Sequence, residues 1–82
     1  MAETSRLRWL CRRGMKELDE LLGGFFEARF GDLSPRRQEA FARLLELQDP
    51  ELLAYLMDRE RPEDEGLRDV VREIRRNAGL QP

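Results

Sequence analysis

Most of the residue types able to do chemistry in this 82-residue chain crowd into one stretch, Trp9-Leu10-Cys11-Arg12-Arg13-Gly14-Met15-Lys16-Glu17-Leu18-Asp19. An indole, three cations, two carboxylates, a thiol and a thioether meet there around a glycine. Tryptophan and arginine join large contact area to directional hydrogen bonding, which is why both are enriched at binding hot spots. The chemistry this run suggests is therefore recognition of a partner. Bond-making chemistry lacks its usual groups. With no histidine and one cysteine there is no Cys/His zinc set and no Ser-His or Cys-His nucleophile pair. The glycines, Gly23-Gly24 included, build neither a GxGxxG turn nor a Walker loop. Cys11 reads as a small buried apolar residue, and Met15 and Met57 read as packing residues.

The elements that must position this run are helical. β-Branched residues are few, and Leu, Glu, Arg and Ala dominate. The expected fold class is all-α, a compact bundle of five short helices. The first is expected to start after Thr4 or Ser5 as N-cap, to put Leu7, Leu10 and Cys11 on one stripe with Trp9 pointing away, and to stop near Gly14. The second carries Leu18, Leu21, Leu22, Phe25 and Phe26 at core-facing spacing and ends about Phe30-Gly31. Its Gly23-Gly24 pair costs roughly 1 kcal/mol per glycine, so the helix bends there or another backbone passes close. Ser34-Pro35 opens a third helix with Phe41, Leu44 and Leu45 inward. Asp49-Pro50 repeats that device for a fourth, with Leu52, Leu53, Leu56 and Met57, which Arg61-Pro62 punctuates. The fifth shows Leu67, Val70, Val71 and Ile74 on one face, Arg72, Arg75 and Arg76 toward its C-terminus, and a stop over residues 77–79.

Length and composition bound the rest. A chain of 9.7 kDa reads as a single domain over 1–82, with a core of about 5–78 and a frayed Gln81-Pro82 tail. Fifteen basic and 17 acidic residues give a net charge of −2, which lacks the global positive field of a nonspecific nucleic-acid binder. A lone cysteine fits a reducing compartment, and neither a signal peptide nor a membrane-length apolar run is visible. A cytoplasmic, metal-free protein without membrane insertion is expected.

Two readings of the Trp9–Asp19 run stand side by side at this point. In one, Trp9 shares a face with Arg6, Arg12 and Arg13 and meets a partner. In the other, Trp9 folds over the bundle edge, Gly14 is a helix C-cap, and Arg13 with Glu17 forms an exposed ion pair worth ~0–1 kcal/mol. Both readings leave Arg13 and Glu17 outside the leucine and phenylalanine stripe, so truncating either is expected to cost little stability. Asp19 and Glu20 read as solvated or helix-starting charges. Among other function classes, Arg36, Arg37 and Arg43 on the third helix could suit a helix-turn-helix nucleic-acid binder, although Glu39 and Glu46 interrupt them. A generic protein adaptor using the Trp9 face is a further alternative.

Arg13-Gly14-Met15-Lys16-Glu17 reads as RGxxE, and the chain resembles the SdhE family of succinate dehydrogenase flavinylation factors. The resemblance continues through Leu21-Leu22, Phe25-Phe26-Glu27, Leu33-Ser34, the segment from Phe41 to Glu46, Asp49-Pro50-Glu51-Leu52 and Tyr55-Leu56-Met57, and covers about Arg6 to Arg76. It implies a non-enzymatic assembly factor that binds the flavoprotein subunit of succinate dehydrogenase, and of fumarate reductase in some bacteria. It also implies that this binding promotes covalent attachment of FAD to a histidine of that subunit. By the same resemblance Arg13, Gly14 and Glu17 are the partner-binding residues, with Trp9, Arg12, Met15 and Asp19 as weaker candidates. No catalytic, metal or cofactor-binding residue is implied on this chain, and FAD stays on the client. Mitochondrial members carry a presequence that is missing here, so the resemblance points to a bacterial cytoplasmic protein.

Overall fold

The computed structural model describes residues 2–80, with side chains from Thr4 onward. Five helices run in order: α1 Ala2–Leu10, α2 Lys16–Arg29, α3 Pro35–Leu44, α4 Asp49–Leu56 and α5 Glu65–Asn77, with a 3-10 turn, Phe30–Asp32, between α2 and α3. Helix α5 touches α2, α3 and α4, most extensively α3. Its fully buried Val70 and Ile74 recur at helical spacing, so one stripe serves three neighbours.

An aromatic group fills the centre. Phe25 and Phe41 are fully buried with ring centroids 5.6 Å apart, Phe30 lies 5.6 Å from Phe41, and Phe26 stacks on Phe30 at 4.8 Å. Tilted and stacked rings at these separations add to the apolar burial itself. Leu18, Leu22, Leu44, Leu52 and Leu56 close the space around them. α1 is held by Leu7, 2% exposed, and by Arg8, whose guanidinium bonds Glu27 at 2.8 Å and lies 5.2 Å from the Phe26 ring centre.

Several expected boundaries move. α1 begins at Ala2, with Thr4 and Ser5 inside it, because Ala2 and Glu3 are themselves good helix formers. It ends at Leu10, well before Gly14. α2 passes through Gly23 and Gly24 as one uninterrupted helix, and a Cβ at either glycine would meet nothing within 4 Å, so no backbone approaches there. The buried Leu22, Phe25 and Phe26 around the pair offset its low propensity.

Ser34 caps α3 as expected, accepting from the Arg37 backbone N–H at 3.3 Å. Asp49 does not cap α4. Gln48 holds the N-cap position, Asp49 is the first helical residue, and its carboxylate is bound to Arg13 instead. α4 stops at Leu56 rather than at Arg61-Pro62, because Asp58 adopts a left-handed φ of 61° that no continuing helix allows. Met57 packs against the core, whereas Met15 stands on extended backbone and is 36% exposed, so it is not the packing residue expected. The expected fraying of Gln81 and Pro82 lies outside the described residues. No helix among the described residues is long and apolar enough to cross a membrane.

The arginines of α3 are spent within the fold. Arg37 pairs with Asp69 at 2.9 Å, and Arg43 pairs with Asp64 at 2.9 Å and with Glu39 at 3.4 Å. Among the described residues Arg36 alone of the three has no such bond, which removes the phosphate-contacting row that a nucleic-acid reading of α3 requires.

Two outcomes are expected. Phe41→Ala and Phe25→Ala should each lower the unfolding free energy in urea by about 3–5 kcal/mol, since each empties a fully enclosed site. Cys11 is 3% exposed, and burial pushes its thiol up to about 11 against the opposing pull of Arg13. Native protein at pH 8 should therefore alkylate with iodoacetamide more than about 100-fold slower than the urea-unfolded chain, whose thiol has an ordinary pKa.

Candidate functional site

The turn between α1 and α2 is built by its own backbone before any side chain is considered. The Cys11 N–H reaches the Leu7 and Arg8 carbonyls at 3.2 Å, and the Arg12 N–H reaches the Trp9 carbonyl at 3.0 Å, so the last turn of α1 tightens and then releases. Gly14 follows with φ +83°, a left-handed position at which a side chain is strained. Met15 returns to extended backbone as the N-cap of α2. Asp19, one turn into α2, accepts from the Arg13 backbone N–H at 2.6 Å, while its own N–H donates to the Met15 carbonyl at 2.8 Å. Those two bonds clasp the loop from Arg13 to Met15 against the first turn of α2. Asp19 is thus part of the scaffold rather than a solvated acid.

Arg13 turns inward, where the sequence suggested an exposed charge. Its Nε donates to Asp49 Oδ1 at 2.9 Å, Nη1 to the carbonyls of Leu10 at 3.1 Å and Leu45 at 2.9 Å, and Nη2 to the Leu47 carbonyl at 2.6 Å. Only 13% of its side chain is exposed. Four of the five donors of one planar guanidinium are used, on groups that come from three parts of the chain. The Leu10 and Leu45 carbonyls lie at the C-terminal ends of α1 and α3, where unpaired oxygens concentrate negative charge. Asp49 opens α4, where the helix dipole favours an anion. One cation therefore satisfies the loose ends of three helices. The Arg13–Glu17 ion pair of the second reading is not found among the described residues.

Glu17 is left outside. It lies in the first turn of α2, is exposed, and has no ion pair or side-chain hydrogen bond among the described residues. Arg12, Gly14, Met15 and Lys16 are exposed beside it along the chain. The RGxxE run thus divides by position: Arg13 beneath, Gly14 at the bend, Glu17 at the surface. On the other side of the junction Trp9 is 71% exposed, as expected, and lines a shallow cleft of about 480 Å³ with Arg6, Arg12, Arg13 and Leu45. Among the described residues Glu46 is the one carboxylate on that cleft, whereas Glu17 and Gly14 lie off it. The seven residues singled out in the sequence are therefore gathered at one junction, but they face in three directions.

Sequence reasoning missed Asp49 and the Leu45 and Leu47 carbonyls. The Asp-Pro pair looked like a complete cap by itself, and backbone carbonyls leave no trace in residue types.

The chain matches the model of a family described as flavinator of succinate dehydrogenase over residues 5–78. It is 43% identical over 79 residues to the FAD assembly factor SdhE of Yersinia pseudotuberculosis serotype I (strain IP32953), covering 95% of this chain and 90% of that one. It is 40% identical over 72 residues to the FAD assembly factor SdhE of Idiomarina loihiensis, 88% of this chain and 80% of that one. A third similar protein is the FAD assembly factor SdhE of Vibrio vulnificus (strain YJ016), 44% identical over 72 residues.

Arg13→Ala should lower the unfolding free energy by about 2–4 kcal/mol, because it strands three carbonyls and the Asp49 carboxylate. Arg13→Lys should recover little of that loss, since a single ammonium cannot fork among four acceptors. Glu17→Ala should stay within about 0.5 kcal/mol of the parent. Urea denaturation of the three variants checks this ordering, and equal stability of Arg13→Ala and Glu17→Ala would contradict the clamp geometry.

Proposed function

Because the chain belongs to the family of succinate dehydrogenase flavinators, we propose that it is an FAD assembly factor whose client is the flavoprotein subunit of succinate dehydrogenase. The observation that carries this reading is the family match over residues 5–78, which contains every residue of the α1–α2 junction described above. As the resemblance to the family implies, the client's FAD becomes attached to a histidine of the client, and this chain carries no histidine of its own. The flavoprotein subunit of fumarate reductase is a second client of the same kind. A bacterial cytoplasmic setting accords with both.

The residues divide the work as their positions suggest. Gly14 and Glu17 meet the client directly, with Met15 and Arg12 beside them, because these are exposed and Glu17 is not committed to an internal partner. Trp9 adds a large apolar surface of the kind that anchors interfaces. Arg13 and Asp19 act one step back by holding the loop in a single conformation, so that little ordering remains to oppose association. The factor favours a client conformation in which histidine and flavin are close to attack geometry, and binding energy offsets the cost of ordering the client. The bond-making chemistry belongs to the client and its flavin.

Co-expression with a flavoprotein subunit, followed by in-gel fluorescence of covalent flavin, tests this. Glu17→Ala should reduce covalent flavin at least about tenfold at unchanged stability, the loss expected when a desolvated interface charge is removed. Arg13→Ala should lose activity together with stability. Arg36→Ala, an exposed change on α3, should behave as the parent. Normal flavinylation by a folded Glu17→Ala variant would remove Glu17 from the contact.

A further inference from the structure

The cleft beside Trp9 opens on the side of the α1–α2 junction that Gly14 and Glu17 do not reach. Its floor is apolar, made by half-buried Leu10 on α1 and by buried Leu45 at the end of α3. Trp9 stands over that floor and is the most exposed of the large apolar side chains among the described residues. A lone exposed indole says little by itself, and its neighbours decide what covers it.

Those neighbours are cations. Arg6 precedes Trp9 by three residues on α1 and shares its face, and the Arg12 N–H donates to the Trp9 carbonyl, which carries the chain one turn further. Both arginines are exposed, and neither guanidinium has an ion pair or a hydrogen bond among the described residues. The groups beneath do not cancel them. The Leu10 and Leu45 carbonyls at the ends of α1 and α3 are taken by Arg13, whose own charge is matched by Asp49. Glu46, on the α3 side, is exposed and pairs with neither arginine. Two uncommitted guanidinium groups and one uncommitted carboxylate therefore border an apolar floor, in a chain whose overall charge is −2.

From this arrangement we infer that the cleft docks an acidic segment of the partner protein, whose apolar side chain lies on the Trp9 indole while flanking carboxylates bind Arg6 and Arg12. Guanidinium forks hold carboxylates through paired N–H donors, and an indole face suits a ring or an aliphatic branch. Glu46 supplies the opposite sign at one end, so it repels an unbroken acidic run there and sets which way the segment lies. A bilayer fits less well, because it takes up protruding apolar groups, whereas this floor is recessed between two helices and bordered by a carboxylate. The inference deepens the client reading and rests on it for the partner's identity: the segment belongs to the flavoprotein subunit.

The test uses the purified full chain and its single tryptophan, whose fluorescence reports on the cleft directly. The probes are the blocked peptide Glu-Glu-Leu-Phe-Glu-Glu, its cationic counterpart Lys-Lys-Leu-Phe-Lys-Lys, and phosphatidylglycerol vesicles. The acidic peptide should give a saturable change that weakens as salt is raised, and the cationic peptide should bind at least about tenfold more weakly. Arg6→Ala and Arg12→Ala should each weaken acidic-peptide binding about threefold, and Glu46→Gln should tighten it about twofold, all with melting temperatures close to the parent. No saturable binding, equal binding of the two peptides, or indifference to both arginine substitutions would overturn the docking site. Binding to vesicles in preference to the acidic peptide would assign the cleft to a membrane and overturn it as well. In co-expression, Arg6→Glu should lower covalent flavin when the factor is scarce, and raising the factor should restore it, as weakened docking requires. Full flavinylation by scarce Arg6→Glu, with peptide binding lost, would overturn the assignment of the segment to the client. Failure of the parent chain to flavinylate any subunit would instead remove the client reading, and the peptide titrations would still decide the cleft.

Discussion

One largely enclosed guanidinium holds this small structure together at the α1–α2 junction. Arg13 sits where α1 finishes, where α3 finishes and where α4 starts, and it bonds a group at each place. A hydrophobic core fixes how far apart helices lie, but it does little to fix how their ends are oriented, because apolar contact is not directional. Hydrogen bonds to carbonyls are directional. A residue with five donors in one plane imposes a common geometry on three chain segments at once. The partly exposed Asp49 carboxylate supplies the counter-charge, so the cation is neither stranded nor fully desolvated.

The exposed loop depends on that arrangement. Gly14 takes a backbone conformation in which other residues are strained, and Asp19 ties the Arg13 N–H to α2, so the turn has little freedom left. A surface already in one conformation loses less entropy on binding, and an assembly factor of this size has few contacts from which to recover such a loss. The RGxxE pattern is therefore not three equivalent contacts. Its arginine belongs to the interior, its glycine to the backbone turn, and its glutamate to the solvent-facing side.

Arginine serves three purposes across the chain. Arg8, Arg37 and Arg43 cross-link helices through carboxylates. Arg13, Arg68 and Arg75 turn guanidinium donors on backbone carbonyls at helix ends and loops. Arg6 and Arg12 line the Trp9 cleft from exposed positions. Carbonyl-bound arginines organise structure without losing their charge.

Residue pattern alone determined the helical fold, the number of helices, the core stripe of Leu18, Leu22, Phe25 and Phe26, the burial of Cys11 and the outward position of Trp9. These follow from periodicity and propensity, which are local properties repeated over many residues. Ser34 was legible as a cap because its partner lies three residues away. Only the tertiary structure decided what Arg13, Asp49 and Asp19 do. The Arg13 partners lie up to 36 residues along the chain, and three of the four are carbonyls, which every residue carries alike. Asp49 looked like a cap because Asp-Pro usually is one, and a long-range cation took its carboxylate instead. Glu17 kept the exposure read from its place off the stripe, while the arginine beside it in the same motif did not. A charge pattern records which groups can pair, and the packing of helices records which of them meet.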